Sequence, residues 1–282
     1  MHNSNTKYRQ IKDKLFLAVV ILSSFVITIP LFLILYYIFK NGISVISLDF
    51  ITKLPKPMGE VGGGILNGLL GTIMLITTST IISVPFGISV GIFLSEFQHH
   101  PMSKYVRFCA EVLQGIPSIV LGIIAYIWLV LPTRSFSAMS GAIALSIMML
   151  PVIIRSTEET LKMVPLSIKE ASLSLGVPYS TTILRVVLPC ALNGIVTSVL
   201  IAIARIAGET APLLFTAFGS PFLSFALNKP VESLPLLIYK YANSPFPQDN
   251  QFAWGVSVIL CVFVLSLNIL AKGISKKWKV QF

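Results

Sequence analysis

The sequence predicts an all-α, polytopic membrane protein with six transmembrane helices, and three observations carry that prediction. Of 282 residues, 55% are hydrophobic and only 11% charged, whereas a soluble domain carries about 25% charged residues. Six apolar stretches approach or exceed the ~20 residues a helix needs to cross a bilayer: 15–39, 65–94, 112–131, 138–154, 191–215 and 252–270. No segment alternates apolar and polar residues between aromatic girdles, as the ~10-residue strands of a membrane barrel do.

Taken in order, residues 1–14 form a basic tail with Lys7, Arg9, Lys12 and Lys14. The apolar run that follows exceeds the roughly 7–15-residue core of a secretion signal and has no small-x-small cleavage site after it, so it reads as an uncleaved anchor. The next segment ends in Pro55-Lys-Pro57 and Gly62-Gly-Gly64, whose glycines let the chain turn into the second span. That span holds Gly64-Ile-Leu-Asn-Gly68 and Gly87-Ile-Ser-Val-Gly91, small-xxx-small patterns that let helix backbones approach closely. Pro85 removes a backbone donor and is expected to kink the same helix. The third span opens near Gly115-Ile-Pro-Ser118, either as a plain cap or as a bend that bares helix N–H groups to an anion.

Between the fourth and fifth spans lies a polar loop, 155 to about 188. Pro165 suits a first helical turn, Ser167 to Leu175 continue that helix, and Gly176 is placed to stop it in a left-handed conformation. Pro178 starts a second short helix, so two helices meet at a sharp bend. The later loop 219–251 holds five prolines, and its fold cannot be read from the sequence. There is no repeat of 20–50 residues. The chain reads as one membrane domain, 15–271, with a basic tail at 272–282.

Charge gives the orientation. Fourteen of the 21 basic residues fall in the two tails, the short loop around Lys104 and Arg107, and the 155–188 loop; six fall in the opposite segments, and Arg205 is the remaining one. The positive-inside rule then places both termini on the cytoplasmic side. The net charge of +10 is thereby a matter of topology, and no basic stripe with interleaved aromatics points to nucleic acid. Cys109, Cys190 and Cys261 are scattered, with neither disulfide nor metal spacing. Gly87-Ile-Ser89-Val-Gly91 matches a nucleophile elbow, but it sits in a membrane helix with no histidine in any span, which argues against a hydrolase. His99 and His100 lack further metal-ligand companions. No phosphate-binding loop occurs, so uphill transport would draw its energy from a partner or an ion gradient.

Arg205 is the outlier. If 191–215 is one helix, Arg205 lies on the order of 15–20 Å from either end, where a guanidinium costs ~2.5–3.5 kcal/mol on insertion scales. Glu209 is four residues on, one turn away on the same face. Arg205-Ile-Ala-Gly-Glu209 is then either a structural ion pair or an anion-contacting site with Glu209 as resting counter-ion. A planar guanidinium fork suits phosphate-like oxyanions. Arg155, just past Pro151, either lines the inner mouth of a pathway or snorkels to the interface as a topology-setting charge.

Glu170-Ala171-Ser172-x3-Gly176, nine residues, then Val186-Val187-Leu188-Pro189 resembles the EAA loop of ABC importer permeases, with Ser172 for the second alanine and Val186 for isoleucine. Met149-Leu-Pro151 through Arg155 and Glu158, Gln114-Gly-Ile-Pro117-Ser through Gly122, and Ile203-Ala-Arg205 through Glu209-Thr-Ala-Pro-Leu to Thr216 are similar to the phosphate-specific permeases, the PstA type more than its PstC-type partner. The similarity runs from about Gly63 to the C-terminus. It implies the type I importer architecture, with Glu170, Ala171, Gly176, Leu188 and Pro189 in a coupling loop gripped by a cytosolic ATPase. It also implies Arg155 and Arg205 in phosphate transport, with a second homologous permease, an ATPase dimer that binds the ATP, and an extracytoplasmic phosphate-binding protein as partners in the inner membrane. This chain itself would hold no cofactor or metal and would catalyse no reaction. Sulfate or molybdate as cargo, a secondary transporter and a membrane enzyme are the rival readings.

Overall fold

Away from water every backbone N–H and C=O needs a partner within the chain, so long apolar segments become helices. The computed structural model describes residues 3–277, and among them the β structure is one isolated bridge, Phe218 to Val231. Thus residues 1–2 and 278–282 of the two expected tails lie outside the described residues. Helix α1 (Asn3–Gly42) carries the first apolar run. After α2 (Leu48–Thr52) come α3 (Leu66–Glu96), α4 (Pro101–Gly115), α5 (Ser118–Ala125) and α6 (Leu131–Thr133). Then follow α7 (Ala138–Lys162), α8 (Leu166–Ser174), α9 (Tyr179–Thr182), α10 (Leu188–Ile206), α11 (Ala211–Thr216), α12 (Leu234–Ala242) and α13 (Pro247–Lys277).

Five helical segments among the described residues are long and apolar enough to cross a membrane, and six if α4 with α5–α6 counts as one bent span. That bend is 106°, so the third expected span is corrected. Val112 to Gly115 belong to α4, which lies against α7, and the apolar crossing begins at Ser118. Pro117 makes the break, because a residue before proline avoids helical backbone and Ile116 is extended (ψ 129). The fifth expected span is corrected too. Its helix runs from Tyr179 to Ile206, and α11 follows as a separate piece. The 155–188 loop is shorter than expected, since α7 continues to Lys162 and helix resumes at Tyr179. Pro165 and Pro178 stand just before their helices as caps rather than inside them.

Two π-helical turns, Tyr126–Val130 and Ile183–Val187, each lie just ahead of a proline, Pro132 and Pro189. A proline has no N–H for the carbonyl four residues back and clashes with it; a widened turn accommodates both faults without ending the helix.

Helix α7 is the axis, with α3, α4, α5, α10 and α11 packed around it. Leu145, Met148, Met149 and Ile153 meet Leu75, Leu121, Ala202, Ile206 and Leu213 in the main core. The approach of α3 is close because Gly87 and Gly91 face α7: an added Cβ would lie 2.6 Å from Ile153 Cγ2 at the first and 2.5 Å from Thr157 Cβ at the second. Higher up, Ser79 Oγ donates to the Ala142 carbonyl (3.0 Å) and Ser146 Oγ to the Ser79 carbonyl (3.1 Å). Gly64 and Gly68 instead face α2 and Leu237 of α12, not another span.

The 219–251 loop is ordered. Ser233 caps α12, and Leu234, Leu237 and Tyr241 pack on Phe50, Ile65, Phe252 and Val256. Buried Glu232 pairs with Lys240 (2.8 Å), and burial pushes its carboxyl above the usual range against the pull of that lysine.

Gly91→Ala is expected to lower the thermal stability of the purified protein by about 1–3 kcal/mol, the usual cost of overpacking. Gly115→Ala, where no atom lies within 4 Å, should leave it unchanged. Melting in detergent checks both, and equal curves would refute the glycine contact as a packing constraint.

Candidate functional site

The EAA-type segment folds as a helix, a left-handed glycine and a second helix. Helix α8 ends at Ser174, Gly176 takes φ +78° with its N–H on the Leu173 carbonyl (2.9 Å), and Pro178 caps α9. Glu170 and Ala171 are exposed, and so are Met163 (79%), Leu166 (65%) and Leu175 (83%). Large apolar side chains gathered on a polar turn mark an interaction surface, for another protein or for the membrane. The opposite face is tied down. Ser172 Oγ and Thr182 Oγ1 share a buried hydrogen bond (2.9 Å), so the serine that replaces the family's alanine gains a partner. Lys169 bonds Glu96 at the end of α3 and the Tyr179 hydroxyl (3.0 Å). Partial burial would lower the Lys169 pKa, but those bonds prevail and raise it. Leu188 and Pro189 open α10 directly after the π turn.

At the same end of α7, Glu158 is buried. It accepts from Arg107 Nη2 (2.6 Å), Arg107 Nε (3.1 Å) and Lys162 Nζ (2.5 Å). Arg155 lies 3.4 Å from Glu111 of α4 and 3.9 Å from Glu159, one-third exposed. Sequence reasoning did not single out Arg107 as a site residue and met Glu158 only within the segment that opens with Arg155. The Glu158–Lys162 spacing of four was a readable signal, whereas the 51-residue separation of Arg107 from Glu158 left none.

Arg205 sits in the last turn of α10, not mid-helix as expected. The chain breaks through Ala207, Gly208 and Glu209 before α11. The break also removes the helical register that would have placed Glu209 one turn above Arg205, and among the described residues no ion pair joins them. The free carbonyls of a helix C-terminus favour a cation there. Depth follows from contacts between helices. Ser156 bonds Ser198, and Gly194 faces Thr160. Continuing that antiparallel register brings Arg205 level with Met149 near the middle of α7, and about six residues, ~9 Å, from the level of Arg155. The two arginines are therefore not brought into contact. Ala191, Ile195, Ala202 and Ile206 face the core, while Ile201, Arg205 and Gly208 are exposed. The guanidinium points away from its own chain.

A family model described as "Binding-protein-dependent transport system inner membrane component" matches residues 83–280. The chain is 41% identical over 274 residues to the phosphate transport system permease protein PstA of Pasteurella multocida (strain Pm70), covering 96% of this chain and 97% of that one. It is 34% identical over 263 residues to a probable phosphate transport system permease protein PstA of Methanocaldococcus jannaschii, covering 93% and 92%. Among solved structures, an inward-facing MetNI methionine ABC transporter aligns with TM-score 0.64 at 19% identity over 76% of this chain and 95% of that one. A bacterial alginate ABC transporter in complex with alginate pentasaccharide-bound periplasmic protein aligns with TM-score 0.70 at 12% identity over 97% and 98%. At such identities these structures speak for the fold alone.

Gly176→Ala should strain the left-handed turn by about 1–2 kcal/mol without a clash, since nothing lies within 4 Å. Hydrogen exchange should then quicken in α8 and α9 and stay unchanged in α3 and α7. Unchanged protection of α8 would show that the turn does not hold the helix.

Proposed function

We infer the function from one premise: the chain belongs to the family of binding-protein-dependent transport system inner membrane components, the permeases of ABC importers. It is a transmembrane permease subunit that carries inorganic phosphate across the membrane. The observation that supports phosphate over sulfate or molybdate is the 34–41% identity, over nearly the whole chain, to bacterial and archaeal permeases named for phosphate transport.

In this reading the membrane is the cytoplasmic one, with both termini inside, and α8 is the element an ATPase dimer grips. Docking a short helix in a groove is a common recognition mode, and Leu166, Leu175 and Glu170 are the side chains offered. ATP binds to those partner chains. A second, PstC-type permease completes the pathway, and an extracytoplasmic binding protein delivers phosphate to it. Arg205 meets the anion at the face between the two permeases. Its exposure at mid-depth supports that placement, because a lipid-facing arginine there would cost ~2.5–3.5 kcal/mol. Glu209 flanks it beyond the helix break, and Arg155 is the next cation along the route towards α8. At the break the Gly208 and Glu209 N–H groups turn back onto the Arg205 and Ile206 carbonyls, and non-helical backbone at membrane depth suits protein packing or a water-filled cavity rather than lipid.

Arg205→Ala in the assembled complex is expected to cut ATP-dependent phosphate uptake by about 10- to 100-fold, the range for one charged hydrogen bond. Arg205→Lys should retain part of it, and excess sulfate should not compete in wild type. Radiolabelled uptake, scaled to membrane level and ATPase assembly, is the measurement; normal transport by Arg205→Ala defeats the anion-path role.

A further inference from the structure

Lys169 stands beside Glu170 but faces the other way. Glu170 and Ala171 are exposed, while Lys169 and Ser172 turn towards the bundle. The Lys169 ammonium bonds the Glu96 carboxylate and lies 4.8 Å from the centre of the Tyr179 ring. The Tyr179 hydroxyl donates to the same Glu96 oxygen. Glu96 is the last residue of α3, and its side chain is only 7% exposed. A carboxylate at a helix C-terminus opposes the helix dipole, and a largely buried one needs charged partners. Three elements distant in sequence, the end of α3, the middle of α8 and the start of α9, thus meet at one carboxylate.

By chain connection, α8 hangs between the end of α7 and the start of α9 on two short linkers, 163–165 and 175–178. Linkers alone let a nine-residue helix swivel when it is pushed. We propose that Glu96, Lys169 and Tyr179 form a clamp that fixes α8 to α3, so that a displacement imposed on α8 by an ATPase moves α3 instead of tilting α8. The displacement then passes to α7 across the Gly87 and Gly91 contacts with Ile153 and Thr157, in step with α10, which α9 drives directly. Lys169 is a positioning residue: it touches neither nucleotide nor cargo. The proposal rests on the reading of the chain as an ATP-driven phosphate permease.

The test uses the complete complex in proteoliposomes, with the second permease, the ATPases and the phosphate-binding protein, and reads phosphate transported per ATP hydrolysed. Lys169→Met and Glu96→Gln are each expected to lower that ratio at least about fivefold, the lower end of typical coupling between sites, while ATP hydrolysis persists. The double exchange Glu96→Lys with Lys169→Glu should recover most of it, which a merely structural loss would not. Wild-type ratios in both single variants overturn the clamp, as does a double exchange no better than either single variant. If Lys169→Met fails to assemble, Glu96→Gln, away from the exposed face of α8, decides the matter. A wild-type complex without ATP-dependent phosphate uptake would instead sink the functional reading itself, and the clamp with it.

Discussion

The contact of α3 with α7 is the constraint on which the rest of the structure depends. Two glycines, Gly87 and Gly91, let α3 come so near that Ile153 and Thr157 occupy the space their side chains would fill. In lipid, helices gain nothing from hiding apolar surface, since the tails are equally apolar; close packing and interhelical hydrogen bonds hold them together. The Ser79 and Ser146 hydroxyls supply those bonds about two to three turns away. With α3 in place, α7 becomes the most enclosed of the spanning helices, and α4, α10 and α11 find their seats on it. The polar end of α7 then carries Arg155 and Glu158 to a level where Glu111 and Arg107 of α4 reach them.

How much of this was legible follows the kind of force involved. Hydropathy located every crossing, all but the fifth to within about five residues on at least one side, because burial in lipid depends on composition alone. Helix termination was harder to read. Residues 191–215 are predominantly apolar, so the break after Ile206 made no mark on hydropathy; its signals were Gly208 and Pro212, two helix-weakening residues inside a run that reads as one helix. The bend at Pro117 was legible as one of two alternatives, and the three turn-forming cues around α8 (Pro165, Gly176 and Pro178) located the turns well. The π turns before Pro132 and Pro189 were not anticipated. Pairs such as Arg107 with Glu158 or Lys169 with Glu96 join residues 51 and 73 apart, and a single sequence holds no record of which distant charges meet. The same applies to α12, whose Ser-Leu-Pro start was a readable cap hidden in a proline-rich loop.

Three surfaces of the single chain are incomplete, each in a chemically distinct way. Helix α1 is bare along its apolar length, resting on α13, as lipid-facing helices are. The α8 turn presents leucines and a methionine to water. At mid-depth, α10 presents an arginine outward. Lipid satisfies the first, and an apolar groove on another protein would satisfy the second. Neither satisfies the third, since lipid penalises the charge and a groove on a soluble domain cannot reach it.

What can satisfy Arg205 is a facing surface at the same depth that admits water or an anion. In the function proposed above, a second permease built on the same plan would supply such a surface without any new fold, with a helix break of its own facing the one between α10 and α11. A permanent carboxylate partner at bonding distance would neutralise the guanidinium and weaken its attraction for any other anion. The separation of Glu209 from Arg205 by the helix break removes that competition. The positive charge stays available at the C-terminal end of α10, where the helix carbonyls ease the cost of keeping it there, and the break that looked like a flaw in the fifth span is what allows both conditions at once.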